Sequence, residues 1–408
     1  MSRSLFIFLL LLFYAGFAHS AAPQFFLPKT SLYARDVAVI VNDDDPLSIR
    51  IGEYYEARRA IPKANLIHVR FHAGGAVMAL SEFSRVKAEV DRETPKSVQA
   101  FALTWAAPYR VECMSITSAF AFGFSKAYCS HACSATKRSA YFNSSSTAPY
   151  ADLKIRPTMA LAGLDFASVK ALIDRGVDAD DSDPTGTGYL LSTSDKLRNV
   201  RSTEFPQLAK ATAKLVNVEL VEGDSIKDKD DVLFYFTGLA NVPDLGTLKF
   251  RPGAIADHLT SLGGQLTDSG QMSSLRWLEA GATGSYGTVE EPCNHPAKFP
   301  DPALVMYWYL AGNTLIEAYW KSVQWPGEGI FIGEPLAKPY GGFSAHIDDG
   351  EVVLRTHALP PGIYGLLGAN SVMGPFRPAS KPVAVHLGMN ELHFSKLDKP
   401  VYRLVRLR

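Results

Sequence analysis

Val37-Ala38-Val39-Ile40-Val41 runs into Asn42-Asp43-Asp44-Asp45-Pro46, and a polar-apolar stretch from Ser48 to Arg59 follows, with Ile49, Tyr54 and Tyr55 available for an inner face. The first five residues are apolar without polar alternation, the pattern of a strand covered on both sides. The Asn-Asp-Pro tract is a turn, and Ser48–Arg59 reads as a helix that Ala60-Ile61-Pro62 breaks. Leu66–Phe71 is the next strand. A strand, a crossover helix and a second strand call for parallel pairing.

The rhythm continues outward from this unit. Helices are expected at Ser81–Arg92, Phe166–Arg175, Phe205–Leu215 and Ala303–Val323. Strands are expected at Val98–Thr104, Thr158–Gly163, Gly188–Ser192, Val218–Val221, Val232–Phe236, Ala254–Leu259, Ala280–Tyr286 and Gly329–Ile332. The order predicts an α/β domain over residues 21–340, built on a doubly wound, mostly parallel sheet. Residues 107–152 interrupt it with a Ser- and Ala-rich excursion that carries three of the four cysteines. After Gly333-Glu334-Pro335-Leu336 the texture changes: short strands alternate with turns such as Asp348-Asp349-Gly350 and Pro360-Pro361-Gly362. Residues 341–408 are therefore expected to form a small β-sandwich.

The chain of 408 residues carries 41 basic and 41 acidic side chains, with 47% hydrophobic and 20% charged residues. That is globular composition, and it lacks the basic excess of a nucleic-acid binder. Arg3, the apolar run Leu5–Phe17 and the small residues of Ala18-His19-Ser20-Ala21 read as a secretory signal cleaved near Ser20. The alternative is an uncleaved anchor, but the run is short for a span and Pro23 follows at once. No later segment is apolar enough to cross a bilayer. The mature protein is thus expected in the periplasm or outside the cell.

Cys113, Cys129, Cys133 and Cys293 form an even set, which in an exported chain predicts two disulfides. The favoured pairing is Cys129 with Cys133 and Cys113 with Cys293. A metal site at Cys129, His131 and Cys133 is the alternative, weakened by the lack of a second ligand pair. The acidic loop Asp178–Asp183 lacks the glycine and closing glutamate of a calcium loop. No metal or cofactor is expected.

Ligands of open parallel sheets bind beyond the carboxyl ends of the strands. That rule selects Asn42, Thr104, Trp105, Thr237, Ser285, Thr288, Glu290 and Glu334 as candidate binding residues. His258, with Ser261 one turn on, has the makings of a general base and its partner. Cys293 with His295 is a second candidate pair, provided that Cys293 is a free thiol. The competing accounts are a buried structural histidine and a disulfide.

Three segments carry a family resemblance: Ala34–Phe71, including Val39-Ile40-Val41-Asn42 and Arg58-Arg59-Ala60-Ile61-Pro62; Gly281–Pro292; and Gly327–Tyr340. They resemble an uncharacterised family of exported bacterial proteins found in genomes that carry the PEP-CTERM and exosortase sorting system. The resemblance implies an envelope or extracellular setting and no particular activity. More distantly, the chain is similar to the gingipain-like branch of the caspase-fold cysteine peptidases, in which an immunoglobulin-like domain follows the sheet directly. Gly333-Glu334-Pro335 approximates the turn that closes their catalytic domain. Their catalytic histidine follows an apolar strand in a Thr-Gly-His-Gly context, where this chain reads Thr237-Gly238-Leu239-Ala240. Their cysteine ends the next strand, where this chain reads His258-Leu259-Thr260-Ser261. The departure implies a peptidase-like scaffold without that chemistry, and the function expected from it is non-catalytic binding of a polypeptide or glycan of the envelope at the strand-end cleft. The alternative is a divergent hydrolase using His258 with Ser261 or Cys293.

Overall fold

The computed structural model describes residues 23–130, 133–348, 351–395 and 397–407. The signal segment Met1–Ser20, His131 of the metal alternative and the two turn residues Asp349-Gly350 lie outside them.

In chain order the α/β unit contains β2 (Val37–Asn42), α1 (Pro46–Arg59), β3 (Leu66–Val69), α2 (Leu80–Glu93), β4 (Ala100–Leu103), the short β5 (Arg110–Val111) and β6 (Met114–Ser115), α3 (Ile116–Phe122), α4 (Pro149–Leu153), β7 (Thr158–Ala160), α5 (Phe166–Ala179) and β8 (Thr187–Ser192). It continues with α6 (Phe205–Thr212), β9 (Asn217–Glu222), β10 (Val232–Thr237), β11 (Phe250–His258), α7 (Leu275–Ala280), β12 (Gly284–Thr288), α8 (Pro302–Leu310), α9 (Leu315–Ser322) and β13 (Gly329–Gly333). The opening motif forms as its residues dictate. Every residue of β2 is buried, and Asp45 accepts a hydrogen bond from Leu47 N at 2.9 Å just ahead of Pro46, which starts α1.

Ten strands make one sheet in the order β3-β2-β4-β7-β13-β12-β11-β10-β8-β9. Pairing is parallel throughout except between β12 and β13, where Gly284 faces Gly333 and Thr288 faces Gly329. This one reversal divides the sheet. The strands from β3 to β13 point one way and those from β12 to β9 the other, so their carboxyl ends lie on opposite edges. Helices cover both faces. Tyr55, Val169, Tyr309 and Trp320 belong to one core cluster, and Phe83, Phe120 and Leu275 to the other.

Three local expectations change. The start of the expected strand Ala280–Tyr286 is the end of α7 and a turn, and the strand begins at Gly284. The expected helix Ala303–Val323 is two helices, because Thr314 and Glu317 form a capping box that restarts it. The disulfides are Cys113–Cys129 and Cys133–Cys293, not Cys129–Cys133 with Cys113–Cys293. A 3-10 turn over Lys126–Tyr128, with Tyr128 stacked on Phe122, delivers Cys129 to the β5–β6 hairpin. The chain then leaves that hairpin, and the Cys133 carbonyl meets His295 on the far loop at 2.6 Å. With every one of these sulfurs in a disulfide, the metal alternative is excluded. Two disulfides suit an oxidising compartment, and among the described residues no helix is long and apolar enough to cross a membrane.

The C-terminal residues form two small sheets. One is antiparallel, with β14 (Phe343–Asp348), β15 (Glu351–Thr356) and β19 (Asn390–Ser395). The other holds β16 (Gly362–Ala369), β17 (Arg377–Pro378), β18 (Val383–Val385) and β20 (Val401–Arg406). Leu354, Leu392 and Phe394 of the first share a core with Tyr364, Leu366, Tyr402 and Leu404 of the second. The first strand of the described chain, β1 (Gln24–Phe26), pairs in parallel with β20. The sequence division at residue 340 does not anticipate this contribution from the N-terminal end.

Candidate functional site

The reversal at β13 sorts the candidate residues onto two edges. Asn42, Thr104 and Glu334 stand at the carboxyl ends of β2, β4 and β13, with Trp105 just beyond. Thr237, His258, Ser261, Thr288, Glu290, Cys293 and His295 belong to the ends of β10, β11 and β12. Ser285 lies inside β12, buried, with no hydrogen-bond partner for its hydroxyl. A single rim holding all of them does not exist.

On the first edge the side chains serve the fold. The Asn42 amide donates to Phe71 O at 3.0 Å and its oxygen accepts from Phe71 N at 3.2 Å, pinning the β3 loop. Thr104 donates to Ile40 O at 2.9 Å. Trp105 donates to Pro108 O and packs edge-on against Phe71. Glu334 is fully buried, accepting from Tyr55 OH at 2.7 Å and Arg59 Nε at 2.9 Å.

The second edge is closely built. The Thr288 hydroxyl donates to Ser261 O at 2.8 Å, tying the end of β12 to the loop after β11. Backbone meets backbone here: a Cβ on Gly287 would lie 2.4 Å from Gly264 N, and one on Gly238 would lie 2.0 Å from Arg198 O. Because backbone cannot swing aside, Gly287→Ala is expected to destabilise the fold by about 1–3 kcal/mol, read from urea unfolding.

His258 is buried, with both ring nitrogens engaged. Trp277 Nε1 donates to Nδ1 at 2.9 Å, which places the proton on Nε2, facing Met272 O at 3.1 Å. No hydrogen bond joins it to Ser261. Burial pushes its pKa from 6.5 down to about 4, opposed by the Met272 carbonyl. Since the folded value lies below the unfolded one, protonation favours unfolding. The stability present above pH 6.5 is lost as pH falls toward 4, by about 2 kcal/mol at pH 5 and roughly 3 kcal/mol at full protonation. In His258→Gln this part of the acid dependence is expected to disappear when unfolding is compared at pH 7 and pH 5.

Cys293 is bonded to Cys133, so it is not the nucleophile of a pair with His295. His295 instead faces the Cys133 carbonyl and packs edge-on against Trp325. Glu290 is paired with Arg110 from the excursion.

What the second edge offers is shape. Residues 197–211 and 291–303 form the walls of two neighbouring hollows. One, of about 490 Å³, is lined by Phe142, Val200, Phe205, Leu208, Phe299 and Pro300, with Arg201 among them. The other, of about 280 Å³, is lined by Leu197, Arg198, Leu259, Ser261, Glu291 and Cys293. Arg201 is nearly buried. It donates to Thr237 O at 2.9 Å and Pro300 O at 3.1 Å, and pairs with Asp257 at 2.7 Å without hydrogen-bond alignment to the carboxylate. Burial raises the Asp257 pKa and Arg201 opposes that rise. The strand-end rule does not select Arg201, Phe205 or Phe299. Arg201 does follow a strand end, but nothing in Asn199-Val200-Arg201 separates it from an ordinary surface arginine.

Compared with known proteins, the chain matches no family model, no curated protein and no solved structure.

Proposed function

We propose that the mature protein is a non-catalytic binder of extended polypeptide in the cell envelope or extracellular matrix, built on a caspase- or gingipain-like scaffold with an immunoglobulin-like C-terminal unit. Support for the scaffold comes from the β9-β8-β10-β11-β12 half of the sheet and the β unit that follows β13. The observation that carries the function is the pair of hollows lined by residues 197–211 and 291–303, where Ser261 has no base bonded to it and Cys293 is held in a disulfide. A larger and a smaller hollow flanked by the same two stretches of chain suit an extended peptide that places several side chains in one and fewer in the other. Phe205, Leu208, Phe299 and Pro300 of the larger hollow favour apolar side chains of a peptide, while Arg198, Glu291 and Asn294 of the smaller one suit its polar groups. Arg201 and Asp257, held together beneath, keep the wall in place without meeting a charge on the ligand. Such a module would hold a client during secretion or matrix assembly.

The test is a peptide array probed with the mature protein. Ala303, exposed on α8 and part of the larger hollow's lining, is the position to fill. Ala303→Trp is expected to weaken peptide binding at least about tenfold while leaving thermal unfolding unchanged. A panel of activity-based electrophiles should label no serine, cysteine or histidine of the folded protein. Labelling lost in His258→Ala, or turnover of a bound peptide, would replace this reading with the hydrolase.

A further inference from the structure

The two C-terminal sheets differ in charge. The five strands β1, β16, β17, β18 and β20 carry no aspartate or glutamate, and their only charged side chains are Arg377, Arg403 and Arg406. Among the described side chains, the opposing sheet carries Glu351 and Glu391 with a single arginine, Arg355.

The outer face of the basic sheet is also apolar. Alternation along β16 and β20 turns Tyr364, Leu366, Tyr402 and Leu404 inward. Phe26, Arg403, Leu367 and Pro378 then stand in one row across four strands, on the side facing away from that core. Ile363 and Leu407 extend the same face at 36% and 52% exposure. The connection from β16 to β17 adds a tip: Val372 is 51% and Met373 90% exposed, held by a turn in which Gly374 N donates to Ser371 O at 3.1 Å. Behind the tip the Arg403 guanidinium lies over the Phe376 ring at 4.4 Å. Lys381 adds further positive charge, and Lys399 pairs with the nearby Asp398 at 3.0 Å, so that acid is offset. An apolar tip backed by cations and free of acids is the pattern of a surface that meets anionic headgroups and inserts a few side chains beneath them.

We propose that this face of the C-terminal unit docks on an anionic lipid surface, with Val372 and Met373 entering the interface and Arg403 meeting the headgroup phosphates. Electrostatics selects lipid sign and the tip adds depth. The polypeptide groove lies on the α/β unit and takes no part in this contact.

The test is vesicle flotation of the mature chain with phosphatidylglycerol–phosphatidylcholine mixtures against phosphatidylcholine alone. The protein is expected to float with the mixed vesicles and remain behind with the neutral ones. Arg403→Glu and the double variant Val372→Ser/Met373→Ser should each reduce flotation roughly tenfold, and molar salt should release the wild type. Because these side chains are exposed, unchanged thermal unfolding checks that the variants are folded. Ala303→Trp should float as the wild type does, which separates this surface from the groove. Absence from both vesicle types would overturn the proposal. So would equal flotation with both, or retention on a soluble polyanion without flotation.

Discussion

Replacing Cys133 and Cys293 together by serine is expected to lower the free energy of unfolding by about 4–5 kcal/mol, measured by denaturant titration under non-reducing conditions. The cross-link joins residues 160 positions apart, so its loss frees a long loop in the unfolded chain. Cys113–Cys129 spans a separation of 16, and the same chain-entropy relation gives about 3 kcal/mol for its removal. The ordering of the two losses is the informative part. With the pairing of sequence neighbours Cys129 and Cys133, the pair Cys113 and Cys293 would carry the large effect. The Cys133–Cys293 variant also has a second consequence. Cys293 lines the smaller hollow, and its link to the excursion fixes one wall of the groove. Peptide binding should weaken in this variant even where it remains folded, whereas removing Cys113–Cys129 should leave binding intact.

Glu334→Ala is the second large effect, expected at about 3–5 kcal/mol of destabilisation by the same titration. Glu334 holds the buried end of Arg59 and the Tyr55 hydroxyl, joining the end of β13 to α1. Removing the carboxylate strands a guanidinium that is only 8% exposed and leaves Asp180 as its remaining anionic partner. A double change, Glu334→Leu with Arg59→Met, should recover part of the loss, because it removes the stranded guanidinium while Asp180, one-third exposed, keeps the Lys338 N–H at 3.0 Å. Binding of peptide by the folded fraction should not change in either variant. Glu334 and the groove stand on opposite edges of the sheet, so a loss of binding without unfolding would contradict that placement.

Much of the fold is legible in the residues themselves. The run Val37–Val41, the acidic turn and the proline that opens α1 specify their elements locally, and the structure follows them. The direction of β13 does not have that property. Gly329-Ile330-Phe331-Ile332 is apolar in either orientation, and two helices, α8 and α9, rather than a single crossover helix separate it from β12, to which it returns antiparallel. From that single undetermined sign follows the split of the candidate residues. Asn42, Thr104, Trp105 and Glu334 fall away from His258, Ser261 and Glu290 although each correctly ends a strand.

The role of His258 was likewise beyond a linear reading. Its position at a strand end fits a base or a buried anchor equally well, and Trp277 settles the matter by occupying Nδ1. Trp277 sits on α7, where the sequence signals no element before the strand expected from Ala280, so nothing in the linear pattern places its indole near the histidine. The disulfide partners were obscured for a related reason. Sequence proximity favoured Cys129 and Cys133, whereas the turn at Lys126–Tyr128 directs Cys129 back to the hairpin and leaves Cys133 for the loop after β12. Groove walls come from residues 197–211 and 291–303, distant stretches with no shared motif, and only their juxtaposition makes a site.

The central claim is that the groove grips an extended polypeptide and leaves it whole. Its most direct measurement is photocrosslinking with Gln207→p-benzoylphenylalanine, an exposed lining position, using the tightest peptide from the array. Irradiation followed by intact-mass analysis is predicted to give an adduct carrying the full peptide mass, competed by unlabelled peptide and absent when Ala303→Trp is added. Recovery of peptide fragments, or crosslinking that survives Ala303→Trp, would contradict it.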